Sequence, residues 1–271
     1  MSALQAIVLG IVQGLTEFLP ISSTAHLRIV SAFCGWEDPG AAFTAVIQLG
    51  TMAAVLLFFR EDLLRVAGNF LAGLRDPARR GSHDYKMGWY LILGTAPIAV
   101  FGFAFKDPIE NGARDLYVIG TALIVFSFVM LLAERVAVRK REVEELDGSD
   151  ATVIGFAQAL ALVPGVSRSG STISAGLFRG FTRTAAARYS FLLSVPAVVL
   201  SGLFELRKVG ESNGAAPVPT FISTIIAFLV GYASIAWLLR FLAHHTLRPF
   251  AAYRIAMGVL VLALTASGAI S

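Results

Sequence analysis

Cysteine is almost missing from this chain. Cys34 stands alone in 271 residues, which excludes an intrachain disulfide and a cysteine-held metal cluster and leaves that thiol a packing role. Charge is scarce as well, at 15% of residues against 56% hydrophobic. With a mean hydropathy of +0.72, the chain lies outside the range of ordinary soluble domains and reads as a polytopic helical membrane protein. No basic leader precedes the first apolar run, which itself carries Gln13 and Glu17, so no cleavable signal peptide is expected and the spans themselves insert. No glycine-rich loop ends in Lys-Ser or Lys-Thr, which speaks against nucleotide hydrolysis of the P-loop kind. His83, His244 and His245 have no metal-ligand neighbourhood. The net charge of +4 comes from basic residues at the ends of apolar spans rather than from one patch, so it orients the chain in a bilayer and nucleic acid is not an expected partner.

Six apolar stretches have the length, about 20 residues, that crosses a hydrocarbon core of roughly 30 Å. They are 41–59, 87–105, 116–133, 186–206, 219–239 and 249–269. Two further stretches, 3–33 and 152–180, are broken near the middle at Pro20-Ile21-Ser22-Ser23 and Pro164-Gly165-Val166-Ser167. Their halves are too short to span alone, and irregular backbone at that depth survives only against protein or a wet cavity. The expected fold is therefore an all-α polytopic membrane protein, with six transmembrane helices plus two re-entrant helical hairpins.

The basic residues test that count. Arg60, Arg65, Arg75, Arg79, Arg80 and Lys86 fall on the same side as Arg135, Arg139, Lys140, Arg141, Arg179, Arg183, Arg188, Arg240 and Arg248, while the opposite loops hold Lys106, Arg114, Arg207 and Lys208. Positive charge collects in the cytoplasm, so both termini face outside, the first hairpin enters from outside and the second from the cytoplasm. The acidic run Glu142 to Asp150 reads as a solvated loop.

The two hairpins resemble each other. Gly10-x-x-Gln13-x-Leu15, then Pro20 and Ser22-Ser23, parallels Gly155-x-x-Gln158-x-Leu160, then Pro164 and Ser167, with a one-residue gap. Three spans follow each hairpin, and three is odd, so the second copy is inverted. The chain is read as one membrane domain over 1–271, with repeats at about 1–135 and 151–271 joined by a charged cytoplasmic loop 135–151. Inverted repeats with broken helices place a site near the midplane, where the repeats meet.

Glu17, His26 and Arg168 are the costly residues of these hairpins, because an ionisable group at membrane depth marks a site by default. Glu17 and His26 lie on opposite arms of the first turn, and Ser22, Ser23 and Thr24 sit where the second arm begins, an end that suits an anion. Arg168, between Ser167 and Ser169 and ahead of Thr172, adds a permanent cation that grips phosphate in two places. A hydroxyl that attacks phosphorus, a base that takes its proton and cations that hold the charge together describe phosphoryl transfer. The plain alternatives are packing and kinking for the hydroxyls, an ion bridge between Glu17 and Arg168, and a satisfied polar packing role for His26. Arg168 is followed by Ser169-Gly170-Ser171-Thr172-Ile173 with no histidine near, so the pattern of the acid-phosphatase superfamily is absent.

The runs from Gln13 to Leu27 and from Pro164 to Ile173 resemble the two signature motifs of the undecaprenyl-diphosphatase family, also called the bacitracin-resistance protein family. Length, motif separation and span pattern agree over nearly the whole chain. The resemblance implies an inner-membrane bacterial enzyme that hydrolyses undecaprenyl diphosphate to undecaprenyl phosphate and inorganic phosphate, recycling the lipid carrier of cell-wall synthesis and protecting against bacitracin. It also implies a divalent cation, Mg²⁺ or Ca²⁺, a site opening outward, a homodimer and an inverted-repeat architecture.

Carried over, the family's acidic motif falls on Gln13 and Glu17, its serine-histidine pair on Ser23 and His26, and its arginine loop on Ser167 and Arg168. Gln13 in place of an acid leaves Glu17 as the principal carboxylate and metal ligand. Ala25 stands where glycine is usual, which a helical φ tolerates, and Thr44 stands where some members have Glu. The resulting expectation is that Glu17, Ser23, His26 and Arg168 carry the catalysis while Gln13, Ser22, Thr24, Ser167, Ser169 and Thr172 bind substrate. Ser23, His26 or water remains open as nucleophile. A polyprenyl-phosphate transporter using the same site is the alternative from another functional class.

Overall fold

A computed structural model describes residues 1–38, 40–105, 115–209 and 217–270 of the chain. Lys106 and Arg114, together with the side chains of Arg207 and Lys208, lie outside the described residues. The described residues form helices α1 (Ala3–Phe18), α2 (Ser23–Phe33), α3 (Gly40–Phe58), α4 (Arg60–Arg75), α5 (His83–Ala104), α6 (Leu116–Val136), α7 (Gly148–Ala159), α8 (Arg168–Phe178), α9 (Arg183–Val209), α10 (Pro217–His244) and α11 (Arg248–Ala266). Among the described residues four helices, α5, α6, α10 and α11, are each long and apolar enough to cross a membrane, and five if the bent pair α3–α4 counts as one. This is a multi-pass membrane protein built of helices.

Each broken apolar stretch becomes a pair of short helices. In the first, Ser2 caps α1 through a reciprocal bond with Gln5, and Leu19 turns extended ahead of Pro20 because a residue before proline is pushed out of the helical region. In the second, Asp147 caps α7 with Asp150, a 3₁₀ turn runs over Leu160–Leu162, and Val163 is extended ahead of Pro164. The return arms α2 and α8 have the same length, 11 residues. Both begin immediately after a serine with positive φ, 76° at Ser22 and 73° at Ser167. With Ser22 opposite Ser167 and Gly10 opposite Gly155 the two runs keep one register, and Gly165, whose φ of +98° is open to glycine at no steric cost, stands opposite Pro20.

The outer arms lean on long helices at matching glycines. A Cβ at Gly10 would sit 2.7 Å from the Ser223 carbonyl oxygen on α10, and one at Gly155 would sit 2.6 Å from the Gly94 carbonyl oxygen on α5. Backbone therefore meets backbone at the same motif position in both pairs, which only glycine permits. Around them α3 packs on α9 and α10, α6 on α8 and α11, and α8 on α9. The largest core cluster joins Phe18, Phe59, Phe191 and Leu193 from helices of both chain halves.

One stretch differs from its sequence reading. Residues 60–86 are read from sequence as a charged loop, yet α4 is helical, bent by 75° from α3. It keeps Leu64 73% and Leu71 59% exposed while Phe70 stacks on Tyr85 and meets Trp89 edge-on. Polar residues spaced among leucines disguise an amphipathic helix of the kind that lies along an interface. Several of the basic residues at the span ends do structural work. Buried Asp62 meets Arg65 at 3.0 Å and Arg188 at 2.5 Å, and buried Glu134 meets Arg139 at 3.1 Å and Arg183 at 2.7 Å. Asp150 meets Arg141 at 2.7 Å and Arg179 at 2.6 Å. That last contact binds the acidic loop to the bundle, so Asp150 is not solvated.

Candidate functional site

The two turns lie side by side, and one guanidinium holds them there. Arg254, fully buried on α11, donates from Nη1 to the carbonyl oxygens of Pro20 at 3.0 Å and Val166 at 3.1 Å. Its Nη2 donates to the Gly165 carbonyl at 2.8 Å and its Nε to the Ser127 hydroxyl at 3.2 Å. These turn carbonyls have no helical partner, and a planar fork of N–H donors satisfies several at once. Ser169 adds a second tie, its hydroxyl donating to the Leu19 carbonyl at 3.0 Å.

Serine with positive φ costs on the order of 1–3 kcal/mol and persists only where the surroundings impose it. At Ser167 the hydroxyl accepts from the Gly170 amide at 3.1 Å and so caps α8. At Ser22 no side-chain cap forms, and the carbonyl is held instead by His26 Nδ1–H at 2.8 Å. That bond fixes the imidazole, since a carbonyl only accepts and Nδ1 must donate. Nε2 lies 2.8 Å from the Tyr253 hydroxyl, and the two rings stack at 5.5 Å. In a neutral ring Nε2 therefore accepts from Tyr253, and both nitrogens are engaged by the scaffold.

Between the turns is a cavity of about 150 Å³, lined by Gln13, Thr16, Glu17, Ser22, Ser23, Thr24, Thr44, Gln48, Ile98, Ala161, Pro164, Ser167, Arg168, Ala197 and Val198. Glu17, the last turn of α1, is its centre. Arg168 Nη2 donates to Oε1 at 2.7 Å, and Gln48 Nε2 approaches the same oxygen at 3.4 Å. Oε2 accepts from the Ser23 hydroxyl at 2.6 Å and from Gln13 Nε2 at 3.0 Å. The Gln13 Oε1 atom is left buried without a partner.

The residues expected from sequence are thus distributed unevenly. Gln13, Glu17, Ser22, Ser23, Thr24, Ser167 and Arg168 surround the cavity. His26, Ser169 and Thr172 do not line it. His26 pins Ser22, Ser169 ties the turns, and the Thr172 hydroxyl is spent on the Arg168 carbonyl at 2.7 Å and on Ser190 at 2.6 Å. Sequence reasoning missed Gln48, Tyr253 and Arg254. Gln48 and Tyr253 carry no signal, because one amide or one phenol in an apolar span is ordinary. Arg254 did carry one, a cation inside the span 249–269, which is as costly there as Glu17 or Arg168.

The arrangement supplies a hydroxyl donating to a carboxylate, a guanidinium on the other side of that carboxylate and the uncapped end of α2 beside both. Such a set can deprotonate a nucleophile and hold an anion. Among the described residues no three carboxylate, imidazole or thiol groups gather to hold a metal ion.

The family model described as Bacitracin resistance protein BacA matches residues 6–260. The chain is similar to undecaprenyl-diphosphatase of Mycolicibacterium smegmatis, 52% identical over 275 residues that cover 100% of this chain and 99% of the relative. It is similar to undecaprenyl-diphosphatase 2 of Streptomyces avermitilis, 49% identical over 283 residues that cover 100% of this chain and 97% of the relative. A Nocardioides undecaprenyl-diphosphatase is 51% identical over 269 residues, covering 99% and 98% of the two chains.

Proposed function

The chain belongs to the bacitracin resistance protein BacA family, and from that premise we propose that it hydrolyses undecaprenyl diphosphate to undecaprenyl phosphate and inorganic phosphate, recycling the lipid carrier of cell-wall synthesis. The observation that carries the chemistry is the Ser23 hydroxyl donating to Glu17 Oε2 at 2.6 Å inside a cavity shared with Arg168. In this reading Glu17 takes the Ser23 proton as Oγ bonds to the terminal phosphorus. The bond from that phosphorus to the bridging oxygen breaks, and undecaprenyl phosphate leaves with the electron pair and with the proton that Glu17 took, which frees the carboxylate again. Water, deprotonated by Glu17, then attacks the phosphoserine, releasing phosphate and returning the proton to Ser23. Arg168 and the first-turn amides of α2 hold the phosphoryl oxygens as charge develops. Ser23 is favoured over His26 because Ser23 lines the cavity and His26 does not, while both imidazole nitrogens are engaged elsewhere.

A divalent cation fits this donor set only as an ion borne mainly by the substrate. Among the described residues Glu17 is the sole carboxylate at the cavity, and a magnesium-type ion is commonly held by one or two carboxylates together with substrate phosphates. Glu17 would hold it, with the orphaned Gln13 Oε1 as a second hard oxygen. The ion would supply charge neutralisation to the diphosphate.

The topology that agrees with this reading has α3, α5, α6, α9, α10 and α11 crossing the bacterial inner membrane and the pairs α1–α2 and α7–α8 entering and leaving one face each. It sets 1–135 and 151–271 as inverted repeats, with both termini and the site facing outside. The matched positive-φ serines, the matched glycine contacts and the one-sided arginines support it.

The decisive experiment is phosphate release from undecaprenyl diphosphate by the purified chain, with and without EDTA, beside Glu17→Ala and Arg168→Ala variants that remain folded. Release that is lost with EDTA and in both variants is expected. No release from folded wild type sinks the enzyme and points to lipid-phosphate transport.

A further inference from the structure

The cavity has two unlike sides. Gln13, Thr16, Thr44 and Gln48 give it a polar wall on α1 and α3, whereas Ile98, Ala161, Ala197 and Val198 give it an apolar wall where α5, the 3₁₀ turn and α9 come together. A diphosphate has no use for that second wall. Its residues also stand at breaks in their helices. Ile98 directly follows Pro97 inside α5, and Ala197 and Val198 directly follow Pro196 inside α9. An internal proline forfeits the bond to the carbonyl four residues back and pushes that turn aside. Two helices are therefore loosened at the same place.

Outside that wall the surface is apolar and uncovered. Val100, Leu160, Val163 and Leu200 are 63%, 50%, 45% and 51% exposed, and Gly102 brings α5 against Leu162 of the turn. In a membrane protein such a surface faces hydrocarbon. The cavity, at about 150 Å³, is smaller than the roughly 300–1,000 Å³ of sites that enclose a drug-sized ligand. It holds a head group and excludes a long chain.

Resting on the diphosphatase reading, we propose that the polyprenyl tail of the substrate leaves the cavity sideways between α5 and α9, over the turn Leu160–Leu162, and that Ile98 and Ala197 form the threshold it crosses. The polar wall keeps the reacting diphosphate wet and oriented, and the tail stays in hydrocarbon throughout the reaction, so its apolar surface is never transferred to water. Ile98 and Ala197 then determine selectivity for long-chain over short-chain substrates, because a short prenyl group ends before the threshold constrains it.

The test compares kcat/KM for undecaprenyl diphosphate and dimethylallyl diphosphate, whose five carbons end at the cavity wall, in the full-length protein. Ile98→Trp and Ala197→Trp are expected to lower the long-chain to short-chain ratio by about tenfold or more, the scale on which pocket bulk discriminates substrates. Phe128→Trp, on the lipid-exposed face of α6, is the control and leaves the ratio unchanged. Equal losses on both substrates, or none, overturn the tail path. Hydrolysis of neither substrate by wild type overturns the phosphatase reading instead.

A second measurement does not depend on turnover or on the tryptophan variants folding. In a Cys34→Ser background, undecaprenyl phosphate should slow N-ethylmaleimide labelling of Ile98→Cys and leave Phe128→Cys labelling unchanged. Equal labelling with and without the lipid overturns the proposal.

Discussion

Glu17 and Arg168, 151 residues apart in the chain, meet at 2.7 Å with their side chains 7% and 15% exposed. The pair joins the two broken helices across the cavity, so it is a structural clasp at the place proposed for the chemistry. Removing one partner of a buried pair leaves an uncompensated charge, at a cost of about 3–5 kcal/mol. Arg168→Ala should therefore destabilise the fold by that order, while Glu17→Gln combined with Arg168→Gln should recover most of the stability and none of the activity. Thermal unfolding in detergent measured through a double-mutant cycle checks this, and stability that does not recover in the double variant contradicts it.

Ser23 and His26 are expected to separate cleanly. Ser23→Ala should abolish trapping of labelled phosphate on the protein and lower kcat on the order of 10³-fold or more, as loss of a nucleophile does. His26→Asn should retain trapping at a reduced rate, since an amide can still donate to the Ser22 carbonyl. Trapping that survives Ser23→Ala and disappears in His26→Asn would transfer the nucleophile to the imidazole.

Tyr253, which does not line the cavity, donates a hydrogen bond from its hydroxyl to Nε2 of neutral His26. Tyr253→Phe keeps the stacked ring and forfeits one hydrogen bond, worth about 0.5–1.5 kcal/mol. Activity should fall less than tenfold with an unchanged pH profile. A displaced pH profile would show that the imidazole exchanges protons with the substrate.

Arg254 should tolerate no replacement, because lysine keeps the charge but not the fork that reaches three turn carbonyls. Arg254→Lys is expected to lose on the order of 3 kcal/mol or more through unsatisfied carbonyls. Hydrogen exchange should accelerate at the amides of residues 21–23 and 165–168 together, since one side chain holds both turns. Acceleration at a single turn contradicts a shared clamp.

The cluster at Asp150 carries a pH dependence. Burial raises its carboxyl pKa, but hydrogen bonds from Arg141 and Arg179 outweigh that, and the net value lies below the ordinary 3.8. A carboxyl depressed in the folded state contributes its full stability above the unfolded value and loses it as pH falls through the lower folded value. The clasp between the acidic loop and α8 should then hold at pH 5 and weaken only below about pH 3.8. Asp150→Asn, which cannot titrate, should be less stable than wild type at pH 7 and should show no further loss on acidification at this site. Convergence of the two stability curves only above pH 5 would contradict the assignment.

Much of this was legible in the chain because a bilayer makes polar groups expensive. The lengths of apolar stretches, proline breaks and matching glycine and glutamine positions locate both broken helices and put Glu17, Ser23 and Arg168 at their turns. The paired motifs also suffice for the family. The same logic overlooked Arg254, since averaging over 249–269 hides one cation among many apolar neighbours, and it took α4 for a loop, since charges at helical spacing look like solvated chain.

The sequence by itself determined the membrane class, the broken helices, the chemical types at the turns and the family, all properties set by local composition and order. Only the tertiary structure decided which polar groups face one another: that Ser23 rather than His26 shares the cavity with Glu17, that Arg254 holds both turns, and that Asp150 is clasped rather than solvated. The reason is physical. Direction and partner depend on helices brought together from opposite ends of the chain, and a hydrogen bond specified to a few tenths of an ångström leaves no trace in the order of residues that are 151 or 234 positions apart.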